Sequence, residues 1–130
     1  MYYIYMLRCK DGSIYTGITT ELSRRMEEHF LRKKNCAKYT ARHIAIKLEN
    51  AWKTDTRSHA LKLEYHLKTL KKEQKERLIQ DNTLLETFLK DQIDILVYEL
   101  VPKEELRNIY KKRKYNIKGG KFPFVKEVKK

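Results

Sequence analysis

Aromatic and aliphatic residues crowd positions 1–7 (MYYIYML), give way to a polar RCKDGS stretch, and return at 14–19 (IYTGIT). Asp-Gly between two β-forming runs is a strong short-range hairpin signal. Two registers are open. A two-residue Asp11-Gly12 turn pairs Tyr5 with Ile18 and puts Tyr5 and Tyr15 on opposite faces. A three-residue loop, Lys10-Asp11-Gly12 with Gly12 left-handed, pairs Cys9 with Ser13, Leu7 with Tyr15 and Tyr5 with Gly17. That register brings both phenols to one face and leaves space at Gly17 opposite Tyr5. We take it as the expected one.

Helical spacing follows. Thr19 or Thr20 caps a helix over about 21–33 whose apolar stripe is Leu22, Met26 and Phe30. Arg25 and His29, four apart, project together from a neighbouring stripe. Residues 35–42 (NCAKYTAR) read as a polar loop, and 44–53 (IAIKLENAWK) as a third strand. Thr56 or Ser58 caps a long helix over 57–80, with Ala60, Leu63, Leu67 and Leu70 on one face. Glu64 falls about 40° from Ala60 and about 60° from Leu67 on the helical wheel, beside that apolar stripe. A carboxylate there is costly to bury unless it is paired or bound to a cation.

Beyond this the pattern is weaker. Asn82 caps a short helix over 83–91, 93–101 (IDILVYELV) reads as a strand, and Pro102 suits the first position of a helix through KEELRNIYKKRK. Gly119-Gly120 breaks the chain before an extended basic end, KFPFVKEVKK. No internal repeat is found.

Charge changes the picture. The net charge is +13 with a pI near 9.7, which points to a polyanionic partner. Residues 102–130 hold eleven Lys and Arg against three Glu, a net +8, so the excess is concentrated at the C-terminal end. Each phosphate-neutralising cation there adds salt-sensitive affinity, and Tyr110, Tyr115, Phe122 and Phe124 offer rings to stack on unpaired bases. The competing reading for 93–115 is a strand and helix packed on the core with a solvated basic face, and 116–130 reads as an end ordered on binding or partly disordered. Cys9 and Cys36 have neither metal nor redox spacing. There is no export signal and no apolar run long enough to span a bilayer, so a cytoplasmic protein is expected.

For a polyanionic partner such as a nucleic acid, one chemistry to weigh is cutting a phosphodiester, which needs an activated water, neutralised charge at phosphorus, and help for the leaving oxygen. A tyrosine serves as base only where nearby cations favour the phenolate, and Arg25, Lys38 and a metal ion supply such cations. Arg25 also suits a phosphate, because its guanidinium is always charged and bonds two oxygens at once. Glu64 suits a single Mg²⁺, which keeps most of its waters. No second acidic residue is spaced for a two-metal site.

Tyr3-Ile4-Tyr5, ten residues before Tyr15-Thr16-Gly17, resembles the paired signature of the GIY-YIG endonucleases. Leu22-Ser23-Arg24-Arg25 through His29 is similar to that family's first helix, and the likeness extends through Ala60 to Glu64, covering roughly residues 1–80. It is nearest to the small single-domain bacterial branch, related to the nuclease module of excision-repair incision proteins. Tyr3 stands in place of the name-giving glycine and Thr16 in place of isoleucine. The resemblance implies catalytic roles for Tyr5, Tyr15, Arg25, His29 and Glu64, with Glu64 as the metal ligand. It implies substrate contacts for Gly17, Lys38 and Tyr39, without choosing which tyrosine acts as base. Tyr2 and Tyr3, and His43, His59 and His66, read as structural.

The expected fold is α+β: a small three-stranded antiparallel sheet flanked by helices, with a basic C-terminal extension. A nuclease domain over 1–80 precedes an extension over 81–130. The expected function is a metal-dependent endonuclease acting on DNA with Mg²⁺ or Mn²⁺, in repair or processing. Two alternatives stay open: a non-catalytic nucleic-acid-binding module of the same fold, and a partner-dependent nuclease subunit that recruits another protein through the extension. No membrane association is expected, and the residues leave oligomeric state undecided.

Overall fold

The computed structural model of the 130-residue chain describes residues 1–31 and 37–116, with side chains through Ile109. Strands β1 (Tyr2–Cys9) and β2 (Ile14–Thr19) form the hairpin. Tyr5 pairs with Gly17 and Leu7 with Tyr15, the three-residue-loop register. Gly12 has φ +89°, a left-handed conformation that glycine adopts without a Cβ penalty. Asp11 shapes the same turn by accepting from the Ser13 amide at 3.0 Å and the Ser13 hydroxyl at 2.6 Å.

Among the described residues the sheet has four antiparallel strands, not the expected three, in the order β2-β1-β3-β4. Strand β3 (Ala45–Thr54) pairs with β1, and the two-residue β4 (Glu99–Leu100) adds to its far edge, with Trp52 opposite Leu100. The apolar run over 93–101 is therefore not one strand. Asp94 accepts a hydrogen bond from the Leu96 amide at 3.1 Å and folds Ile95–Val97 into a single 3₁₀ turn. Only the last residues reach the ladder.

Both faces of the sheet are covered. Tyr5 and Leu7 point to one side, where Leu22, Met26 and Phe30 of helix α1 (Leu22–Phe30) meet Leu48, Ala51, Val101 and Leu106. Ile4 and Met6 point to the other, with Trp52, Ala60, Leu63, Leu67, Leu78, Leu85 and Leu89. Period-2 alternation in β1 thus feeds two separate cores. Residues beyond 80 contribute to both of them.

Helix α1 starts at Leu22 with Glu21 at its N-cap and no side-chain cap; Thr19, two residues before that position, accepts from the Glu21 amide at 3.1 Å. A one-turn helix, α2 (Lys38–Arg42), stands within the expected loop over 35–42. The expected helix over 57–80 is two: α3 (Arg57–Thr69), capped by Thr56, and α4 (Lys72–Gln80). Leu70 and Lys71 are extended between them, and the Gln74 side chain accepts from the Lys71 amide at 2.9 Å. That bend returns Leu78 to the core, fully buried; a straight helix would carry it away from the sheet. Helix α5 (Leu84–Leu89) follows a turn made by the Asp81 carboxylate, not by Asn82. Helix α6 (Lys103–Asn116) begins after Pro102, whose carbonyl accepts from the Leu106 amide. Asn35, Cys36, the break at Gly119-Gly120, the aromatic residues Phe122 and Phe124, and the side chains of Tyr110 and Tyr115 lie outside the described residues.

Candidate active site

The hairpin register places Tyr5 and Tyr15 on the face covered by α1, with ring centroids 6.2 Å apart. Tyr5 is fully buried, and its hydroxyl lies across Gly17. His29, on α1, is equally buried; its Nε2 stands 2.7 Å from the Tyr5 hydroxyl and its Nδ1 2.7 Å from Thr40 Oγ1. Arg25, one turn earlier, donates from Nε to the Tyr5 hydroxyl at 3.4 Å and from a terminal nitrogen to Glu28 at 2.7 Å. The four-residue spacing of Arg25 and His29 thus delivers a cation and an imidazole to one phenol. Tyr15 is only half-buried, and its ring packs against His29 at 5.4 Å.

Electrostatics separate these groups. Burial raises the Tyr5 phenol well above its ordinary value, Tyr15 and Glu64 add to this, and Arg25 opposes it. Burial, then the charge of Arg25, pushes His29 down to about 4, so its ring is neutral at pH 7. The cationic neighbour does not turn Tyr5 into a phenolate, because the cost of desolvation outweighs it.

Tyr39 stacks on Tyr15 at 5.5 Å, and His43 stacks on Tyr39 at 4.1 Å. His43 in turn meets the Asp11 carboxylate at 2.5 Å, tying α2 to the hairpin turn. His43, set aside as structural, therefore closes a row of rings that runs outward from the site. Its position four after Tyr39, once that segment is helical, was the available signal. Thr40 was also missed: a lone threonine in a polar segment looks like a loop residue. Lys38 is exposed at the start of α2.

Glu64 comes from a different element, helix α3. Its helix buries Ala60, Leu63 and Leu67 against the Ile4 and Met6 side of the sheet and also contacts the edge strand β2. The carboxylate is largely buried and pairs with Lys68 at 3.3 Å, yet its charge is felt at Tyr5. Among the described residues, no group of three His, Cys, Asp or Glu side chains is placed to hold a metal ion. One carboxylate fits Mg²⁺ or Mn²⁺ only when water and substrate oxygens complete the shell. Among the same residues, no helix is long and apolar enough to cross a membrane.

A family model described as the GIY-YIG catalytic domain matches residues 1–77. A UPF0213 protein of Fusobacterium nucleatum is 44% identical over 90 residues, spanning 69% of this chain and 85% of that protein. A UPF0213 protein of Pectobacterium carotovorum is 46% identical over 80 residues, spanning 62% of this chain and 79% of its own. The solution NMR structure of a UPF0213 protein from Bacillus halodurans is 37% identical, covers 62% of this chain and 84% of that one, and has a TM-score of 0.37.

Proposed function

The chain belongs to the GIY-YIG catalytic domain family, whose members are in general nucleases, and from that premise we propose that it is a metal-dependent endonuclease hydrolysing phosphodiesters in DNA. One observation carries the reading: Arg25, His29 and the two motif tyrosines converge on one face of the sheet. Arg25 binds a non-bridging phosphate oxygen and offsets the charge that builds at phosphorus. Tyr15, the half-buried phenol, orients the attacking water. Tyr5, buried and neutral, is a positioning residue that holds His29 and Tyr15. Glu64 holds the divalent cation, Mg²⁺ or Mn²⁺, which when bound supplies charge neutralisation at the phosphate and the leaving oxygen. Gly17, Lys38 and Tyr39 line the approach of the substrate.

The net charge of +13 supports a polyanionic substrate, and repair or processing of DNA in the cytoplasm is the setting we assign. A second reading, a DNA-binding module that does not cut, draws on the Glu64–Lys68 pair, since a carboxylate already satisfied by an ammonium has less need of a metal. The test is cleavage of labelled duplex, single-stranded, flap and branched DNAs with Mg²⁺, with Mn²⁺ and with chelator, comparing wild type, Glu64→Gln and Arg25→Ala. Metal-dependent cutting by wild type that is lost in Glu64→Gln with binding retained supports the enzyme. Tight, salt-sensitive binding without any cutting replaces it with the binding module.

A further inference from the structure

Thr40 is fully buried on the one-turn helix α2, yet its hydroxyl is satisfied on both sides. It donates to the Ala37 carbonyl at 3.2 Å, and His29 Nδ1 lies 2.7 Å away. With its proton directed at Ala37, the oxygen accepts from the ring, an arrangement that places a hydrogen on Nδ1 and leaves Nε2 bare. Nε2 then accepts from the Tyr5 hydroxyl at 2.7 Å, and the same hydroxyl accepts from Arg25 Nε.

The opposite tautomer fails on counting. With the proton on Nε2, Tyr5 oxygen would accept from both His29 and Arg25. Its own O–H would then have no acceptor among the described residues, although Tyr5 is fully buried. An unsatisfied buried hydroxyl is costly, so one tautomer satisfies every partner and the other does not. We propose that Thr40 is a positioning residue that sets the His29 tautomer and thereby the direction of the Tyr5 hydroxyl, coupling the docking of α2 to the geometry of the active site.

The inference rests on the nuclease reading for its effect on rate, but not for its effect on the ring. The test is a long-range ¹H–¹⁵N spectrum of the full chain labelled at histidine, with the His29 signals identified by their loss in His29→Gln. Wild type at pH 7 should show His29 protonated on Nδ1 and bare on Nε2. Thr40→Val, which keeps the shape and removes the hydroxyl, should move the ring toward the Nε2-protonated form and lower cleavage by about tenfold or more, as when a hydrogen bond that orients a functional imidazole is lost. Thr40→Ser should restore both. A wild-type ring protonated on Nε2 overturns the proposal, as does a Thr40→Val chain with wild-type tautomer and rate. If Thr40→Val does not fold, the wild-type spectrum alone decides. If no DNA is cut under any condition, the nuclease reading fails while the ring signals still decide the role of Thr40.

Discussion

The phenol of Tyr5 occupies the space that a side chain at residue 17 would take: a Cβ on Gly17 would lie 2.5 Å from the Tyr5 hydroxyl oxygen and 2.7 Å from Cζ. Tyr5 has no room to swing aside, being fully buried and hydrogen-bonded to His29. Gly17→Ala should therefore destabilise the fold by about 1–3 kcal/mol, the usual cost of forcing extra volume into a packed core. Urea unfolding measures it, and an unchanged midpoint would mean that Tyr5 has freedom the packing denies.

The two tyrosines should respond differently to loss of their hydroxyls. Tyr5→Phe leaves His29 Nε2 without its partner and should cost about 1–3 kcal/mol of stability. Tyr15→Phe touches a half-buried ring and should leave the melting temperature unchanged while lowering cleavage by about a hundredfold or more. Melting curves and single-turnover rates on both variants separate the roles; equal rates for Tyr15→Phe and wild type would remove Tyr15 from the chemistry.

His29 makes stability depend on pH in a defined window. Its folded value is pushed down to about 4 from 6.5, so between those values the unfolded chain takes up the proton and the folded chain does not. Stability should fall as pH drops from 6.5 toward 4, by at most about 1.4 kcal/mol per pH unit from this group. Denaturant titrations of wild type against His29→Gln isolate the contribution, which should be absent in the variant.

Arg8 ties the sheet to α4. It reaches Glu49 at 3.1 Å and both oxygens of Glu76 at 2.5 and 2.6 Å. The Arg8 side chain is 19% exposed and that of Glu49 10%, so Arg8→Met should cost about 2 kcal/mol, between the values for exposed and buried pairs. The hydrogen bond to Arg8 also pulls Glu76 down to about 2 from 4.5. A depressed carboxylate stabilises the fold above its ordinary value, and that stabilisation disappears as pH falls from 4.5 toward 2. Acid unfolding of Arg8→Met should show a smaller loss across this window than wild type does.

Much of the first eighty residues was legible in the chain. Asp11-Gly12 between two tyrosine-rich runs specified the hairpin and narrowed its register to two, because turn geometry and side-chain alternation are both local; the pairing of Tyr5 with Gly17 is the one taken as expected. The stripes Leu22, Met26, Phe30 and Ala60, Leu63, Leu67 named the buried faces of α1 and α3 for the same reason. The break at Leu70 was not legible, since the heptad-like spacing runs through it; the Gln74 side chain on the Lys71 amide and the burial of Leu78 against a distant sheet favour the bend. Nor was β4, whose two residues are strand only because β3 offers an open edge.

The same division runs through the candidate site. Arg25 and His29 were readable as neighbours from their spacing, and Tyr5 and Tyr15 from their register. Which nitrogen of His29 meets Tyr5, what Thr40 does and how His43 reaches Asp11 across 32 residues depend on contacts between α1, α2 and the hairpin. By itself the sequence determined the hairpin, the two amphipathic helices and the family, because periodicity and turn chemistry act between residues a few positions apart. Only the tertiary structure decided the fourth strand, the bent helix pair and the buried hydrogen bonds around Tyr5, because those depend on which distant faces meet and on every buried donor there finding an acceptor.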